Sequence, residues 1–334
     1  MSKQALQTLA QDAGIIFPSS VQGLMTAQIR QALAMDAQPT LATVGNSSIP
    51  AWMLNYVDPK LIEIVLQPMK AAEVFGEVKK GDWVTETATF MMVEPTGETS
   101  SYGDYNNNGM SGVNVNFPQR QSYHYQTLTR WGEREVERAG AAKIDYVSQV
   151  NQASVMTLNR FQNKTYLFGV KGLQNYGLLN DPHLPAASVS AKTWATSTGE
   201  EVYESVRVLF QKLLKQTGGN IDMNTPLIMV CSPEASVNLT KTNQYNVNVF
   251  DQLKKNFPNL RVETIPEYAT AAGEMVQLIV EELLGQKTVE MGFTEKLRAH
   301  QIEPRGSYIQ QKKSQGTWGA IIYRPFCIAS MTVS

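Results

Sequence analysis

Between Glu133 and Phe168, small and apolar residues recur at Val136, Gly140, Ile144, Val147, Val150, Ser154, Leu158, Phe161, Thr165 and Phe168. Every step is three or four residues, the spacing that keeps side chains on one face of a helix. No proline interrupts residues 119–181. The pattern predicts one long helix over 133–168, about 54 Å at the usual rise per residue. It is also compatible with a break at Gly140 or near Asn151. A compact chain of this length has a radius of gyration of about 20 Å, so one helix as long as the globule implies a flat or elongated molecule.

Upstream the period changes from helical to alternating. Residues 83–90 and 113–117 alternate apolar and polar positions, as strands do. Between them, residues 95–112 are rich in Gly, Asn, Ser and Thr and carry Tyr102 and Tyr105. The reading is an extended two-stranded hairpin loop. Such a ribbon is marginal in water by itself and presents two open edges. It is therefore expected to dock on something else.

Downstream, helical and strand patterns alternate. Residues 181–198, with Pro182 and Pro185, predict a connector. Val202, Val206, Leu209, Phe210, Leu213 and Leu214 predict an amphipathic helix over 200–216, ended by Gly218 and Gly219. Residues 226–231 form a short apolar run, and Ser232, Pro233 and Glu234 supply a helix cap, first-position proline and first-turn acid. A helix over 247–257 and buried strands over 260–265 and 275–284 follow, so that roughly 199–285 reads as an α/β lobe apart from the long helix. Residues 307–333 predict two or three strands, with a turn at Ser314-Gln315-Gly316-Thr317. At the other end, residues 1–50 are Gln- and Ala-rich and predict an arm with short helical pieces. Lys60 to Leu66, stopped by Pro68, predict a first packed element.

Composition narrows the function classes. With 334 residues the chain can bury a large core and divide into two or more lobes. A net charge of −1 argues against strong nonspecific adhesion to nucleic acid. The N-terminus shows no charged segment followed by an apolar core, and no apolar run reaches membrane-spanning length; the expected origin is cytosolic, without membrane contact. Cys231 and Cys327 sit in apolar, strand-like runs and are expected as buried, reduced thiols. His124, His183 and His300 are far apart and none lies in a metal-ligand spacing. His124, inside Tyr123-His124-Tyr125, reads as a partly exposed sheet residue. There is no phosphate-binding glycine loop, dinucleotide fingerprint or nucleophile elbow, and Ser232 is explained by capping. No catalytic residue, cofactor or metal is expected.

Charge is more informative. Residues 81–119 contain Asp82, Glu86, Glu94, Glu98 and Asp104 and no Lys or Arg, whereas residues 120–171 hold eight bases against four acids. Arg130, Arg134 and Arg138 are spaced four apart, predicting like charges stacked on one helix face. A solvated stripe partly neutralised by Glu133, Glu135 and Glu137 accounts for them. So does a second reading, in which the acidic arm of one copy lies over the basic region of another, setting register and partner choice. On that reading the inter-subunit contacts are Glu86, Glu94, Glu98, Tyr102, Asp104 and Tyr105 against Arg130, Arg134 and Arg138.

The order of these parts carries a resemblance. An N-terminal arm, an extended loop, a long helix, the exit Gly177-Leu178-Leu179-Asn180-Asp181-Pro182 and a separate α/β lobe follow one another. A terminal β segment, Gly316-Thr317-Trp318-Gly319-Ala320-Ile321-Ile322-Tyr323-Arg324-Pro325, closes the series. In this, nearly the whole chain resembles the major capsid proteins of tailed bacteriophages, the HK97-like α+β fold. The resemblance implies a shell protein of the virion, assembled in the host cytoplasm through hexamers and pentamers around packaged double-stranded DNA, with portal and decoration proteins as further partners. It implies an N-terminal arm and first peripheral element over 1–76, the extended loop over 77–130, a peripheral lobe with spine helix over 131–189, an axial lobe over 190–295, and peripheral strands over 296–334. Some members cross-link a loop lysine to an asparagine; here Lys79 and Lys80 lie only at the loop's base, so noncovalent burial is expected to hold the shell. The stretch before Trp52 is shorter than the scaffolding segments of some members, so any scaffold is expected as a separate protein. An encapsulin-like compartment loading enzymes and, from another class, a soluble α+β hydrolase remain as alternatives.

Overall fold

A computed structural model describes residues 67–142, 144–271 and 273–333. The expected N-terminal arm and the element over Lys60 to Leu66 lie outside these residues. Helix α1 (Ala71–Phe75) leads into strand β1 (Glu77–Lys79). The chain then runs out through β2 (Thr87–Thr89) and β3 (Met92–Gly97) and back through β4 (Ser111–Asn116), β5 (Gln119–Gln121) and β6 (Tyr123–Gly132). Helices α2 (Glu133–Ala141) and α3 (Tyr146–Phe168) follow, then β7 (Ser188–Val189), α4 (Gly199–Gln216), β8 (Leu227–Cys231), α5 (Pro233–Asn238), α6 (Val249–Asn256) and β9 (Leu260–Thr264). The remainder is β10 (Ala269–Thr270), β11 (Gly273–Val280), the small hairpin β12 (Glu282–Leu283) and β13 (Gln286–Lys287), β14 (Val289–Arg305), β15 (Tyr308–Ile322) and β16 (Ile328–Val333).

The long helix expected over 133–168 is two helices, the first ending at Ala141 and the second starting at Tyr146, between the two candidate break sites. Asp145 caps α3, its carboxylate accepting the Ser148 backbone N–H at 3.2 Å. A short acid competes poorly inside a helix and well at its start, so the aspartate ends one helix by beginning another. The apolar stripe also rotates. Val136 is exposed and α2 buries nothing, while α3 buries Ser154, Leu158, Gln162, Asn163, Thr165, Tyr166 and Leu167.

This largely polar stripe faces strand β15 of a four-stranded sheet ordered β1-β14-β15-β6. Lys313 Nζ donates to Asn151 Oδ1 and Ser154 Oγ, each at 2.7 Å, and Gln315 Nε2 donates to Asn159 Oδ1 at 2.9 Å. Further along, Thr165 Oγ1 donates to Thr317 Oγ1 at 3.3 Å. Burial holds the Lys313 ammonium below its usual range, and all three of its acceptors are neutral.

The turn expected at residues 314–317 is absent. Strand β15 runs through them, and the reversal lies at Gly306, where φ is +60°. Gly316 serves close approach instead: opposite His124 in β6, a Cβ there would collide with Thr294 Oγ1 and the His124 ring.

The second sheet is ordered β7-β16-β11-β8-β9, with β10 beside β11. One face, with Leu227, Met229, Leu278 and Met331, packs on α4 and α6 through Val206, Leu209, Leu213 and Leu253. The other, with Ile228, Val230, Ile279 and Ile328, packs on α1, the end of α3 and the base of β14 and β15. Both faces are covered, which is why β8 reads as an unbroken apolar run. Residues 328–333, expected among the peripheral strands, join this sheet as β16, antiparallel to β11. All but Thr332 of their side chains are buried, so the strand completes a core that the α/β segment alone leaves open. The helices over 200–216 and 247–257 and the Ser232 cap fall as expected; Ser232 Oγ accepts the Ala235 N–H at 3.0 Å.

Candidate assembly interface

The arm from 81 to 119 is anchored at both strands. On the outgoing side, Lys80 donates to Tyr323 Oη at 2.6 Å and lies 3.8 Å from Glu290, with the Phe90 and Tyr323 rings beside it. The Trp318 indole donates to the Lys80 carbonyl at 2.8 Å. Burial and Glu290 together raise the Tyr323 phenol above its usual range, so it stays protonated. Trp83 then packs edge to face on His124, ring centres 4.6 Å apart, and on His300 at 6.1 Å, while the Arg298 guanidinium lies 5.1 Å over it. His124 faces Thr294 Oγ1 at 3.2 Å; burial lowers its pKa, with Glu86 opposing.

On the returning side, Arg120 is buried against Asp181 at 2.6 Å and over the Tyr176 ring. Gln121 and Gln174 exchange bonds of 3.0 Å, and Asn175 donates to the Gln121 carbonyl. These partners sit in the turn after α3 that the sequence marks as the exit. Gly177 donates to Asn180 Oδ1 at 2.8 Å, and a Cβ on Gly177 would collide with the Leu167 carbonyl. Asn180 reaches back to the Phe168 carbonyl, Leu178 enters the core, and Asp181 is left facing Arg120. The exit turn is thus the socket of the arm.

Beyond the root the arm is a hairpin with no layer of described residues beneath it. β2 pairs with β5, and β3 with β4 from Met92 opposite Asn116 to Gly97 opposite Ser111. The ladder therefore runs past Pro95, where the tip was expected to begin, leaving 98–110 as the tip. Every residue of β3 and β4 is exposed, and Tyr102 and Tyr105 are fully so.

Glu86, Glu94, Glu98 and Asp104 are all on the exposed arm, as expected. The three arginines are not one helical stripe. Arg130 belongs to β6, its guanidinium 5.8 Å from the Tyr308 ring; only Arg134 and Arg138 share helix α2. Gly132 stops the strand and starts the helix, separating them. Within the chain no described contact brings the acidic set to the arginines, so any pairing is between copies. The sequence missed the root cluster of Lys80, Trp83, Arg120, Asp181, Trp318 and Tyr323; the one local signal was the Asn180-Asp181 pair.

Cys231 and Cys327 are buried, and burial pushes the Cys231 thiol up to about 12. Among the described residues no three His, Cys, Asp or Glu side chains gather as metal ligands, and no helix is long and apolar enough to cross a membrane.

Comparison with solved structures gives the same architecture. The chain is similar to the capsid of Myoviridae phage XM1, with a TM-score of 0.74 at 16% identity over 86% of this chain and 100% of that one. It is also similar to the capsid of a native GTA particle, TM-score 0.61 at 7% identity over 89% and 100% of the two chains. A protein of mycobacterium phage Bobi matches with TM-score 0.59 at 9% identity over 85% and 96%. These likenesses establish the expected HK97-like fold. A search of curated proteins returns no match. The family model described as Pa193 gp26 major capsid protein matches residues 40–333, and with that span, nearly the whole sequence, the chain belongs to this family of major capsid proteins.

Proposed function

We propose that this capsid subunit assembles through hexamers and pentamers into an icosahedral shell around double-stranded DNA, with its arm lying across neighbouring copies. The observation that supports this is the combination of an anchored root and a hairpin that no described residue covers: the arm is held where it leaves the fold, and β3 and β4 are exposed throughout. A strand pair so exposed is marginal until something covers it. Residues 190–295 would lie at capsomer centres, residues 131–189 at the periphery, and portal, scaffold and decoration proteins would be partners. A near-neutral chain would let DNA be packed and released without holding each phosphate. The role is structural rather than enzymatic, in a virion assembled in the host cytoplasm.

The contact set on this reading is Glu86, Glu94, Glu98, Tyr102, Asp104 and Tyr105 on one copy and Arg130, Arg134 and Arg138 on the next, the carboxylates acting by the sign of their field as much as by pairing. Electron microscopy and sedimentation of the purified chain test the shell: closed particles are expected, and a monodisperse monomer at all concentrations would overturn it. Arg134→Glu should weaken assembly and change its salt dependence. Unchanged assembly at all ionic strengths would remove the charge contact.

A further inference from the structure

In an antiparallel ladder, residues directly opposite share a face and alternate residues change face. The register of β3 and β4 therefore sorts the arm into two unlike sides. Val93 lies opposite Val115 and Pro95 opposite Val113, whereas Glu94 lies opposite Asn114, Thr96 opposite Gly112 and Met92 opposite Asn116. One side is a ridge of three valines and a proline; the other is polar but for Met92. The ridge is bare, with Val93, Val113 and Val115 exposed to 52%, 58% and 46%. An apolar ridge on one side of an otherwise polar ribbon is the pattern of a half-buried sheet, yet nothing described in this chain covers it.

We infer that the arm docks one side down: Val93, Pro95, Val113 and Val115 pack against a second copy of this chain, while Glu94, Thr96, Asn114 and Asn116 stay turned to solvent. The inference rests on the reading that the arm lies across a neighbour and adds which side is buried. Two observations favour a second copy as the occupant. The arm holds five acids and no bases, so a chain of net charge −1 carries +4 outside its arm, and another copy's body attracts it at long range. The area also fits. Six residues of two strands present a face of about 200 Å², far short of the roughly 800 Å² per partner of a free-standing interface. Such a ridge cannot hold a soluble pair together and adds usefully only where many contacts close at once, as in a shell. Glu94, on the outward side, then acts through its field, and direct ion pairing falls to Glu98 and Asp104 at the tip.

Single cysteines test the side, because Cys231 and Cys327 are both buried and should stay silent to maleimide. Val93→Cys and Val115→Cys probe the ridge; Glu94→Cys and Asn114→Cys probe the other side. All four should label in unassembled subunits. In shells the ridge pair should slow by about tenfold or more, as expected when labelling needs local opening, with the polar pair unchanged. Protection of the polar pair alone, or of both pairs, overturns the one-sided docking but keeps an arm that lies on a neighbour. Free labelling of all four in shells overturns the neighbour contact itself. Should a cysteine block assembly, radical footprinting of unmodified shells reads the same sides, with Met92 oxidised and Val93, Val113 and Val115 protected if the inference holds and the reverse if it fails.

Discussion

Gly177 and Asp181 show how few atoms seat the arm. Gly177 has no room for a methyl group beside the Leu167 backbone, which cannot yield as a flexible side chain would. Gly177→Ala should therefore cost about 1–3 kcal/mol or more, read as a lower urea midpoint; an unchanged midpoint would mean the turn reshapes freely. Asp181 is nearly fully buried and accepts Arg120 at 2.6 Å. Asp181→Asn leaves the guanidinium buried without its counter-charge, a loss of about 3–5 kcal/mol for pairs of this kind. Arg120→Met together with Asp181→Leu should lose less than Asp181→Asn alone. If the double variant is the less stable, the pair is worth more than its desolvation and the argument fails.

At the scale of elements, the root cluster around Trp83 makes the arm's seat depend on pH. Burial lowers the His124 pKa below 6.5 in the fold, so the unfolded chain binds that proton more readily. The contribution is complete above pH 6.5 and is lost as pH falls below it toward the folded value. Urea unfolding at pH 7.5 and 5.0 should show a larger drop for the native sequence than for His124→Gln; equal drops would acquit the histidine. How far the elements were legible follows the same physics. Helix α4 and strand β8 were plain because their patterns have one cause, an apolar core on one side or both. The division of α2 from α3 was only half legible, because the stripe that decides it, through Ser154, Asn159 and Thr165, is polar and is fixed by partners in β15 about 150 residues away. Gly316 was misread as a turn for the same reason, since the need for a missing Cβ arises from His124 and Thr294 on two other strands.

For the whole molecule, the order of parts was legible and the clamp that holds the arm's root was not. The arm's charge, its tyrosines and its alternation all show in the sequence. Arg120 with Asp181, Lys80 with Tyr323 and Trp318 with the Lys80 carbonyl join residues 61, 243 and 238 positions apart, which no local pattern reveals. Because the arm's tip touches none of the described residues outside the arm, stability and assembly should separate there. Replacing residues 98–110 with an Asn-Gly hairpin turn should leave the subunit's unfolding free energy within about 0.5 kcal/mol and reduce the yield of closed particles seen by microscopy. Wild-type yield would show that Glu98, Tyr102, Asp104 and Tyr105 make no contact that matters.

The layer between α3 and β15 has a mechanical consequence. A hydrogen bond exchanged for another, or for water, changes the balance by on the order of 1 kcal/mol, whereas drawing an apolar ridge out of its groove forfeits close packing at once. Lys313, with three neutral acceptors on α3, holds the helix down without fixing it to one notch. Tyr166 and Leu167 pin the end of the helix in the apolar core, so the stretch over the polar layer should swing slightly about that end, like a door on its hinge, far more readily than it lifts from the sheet.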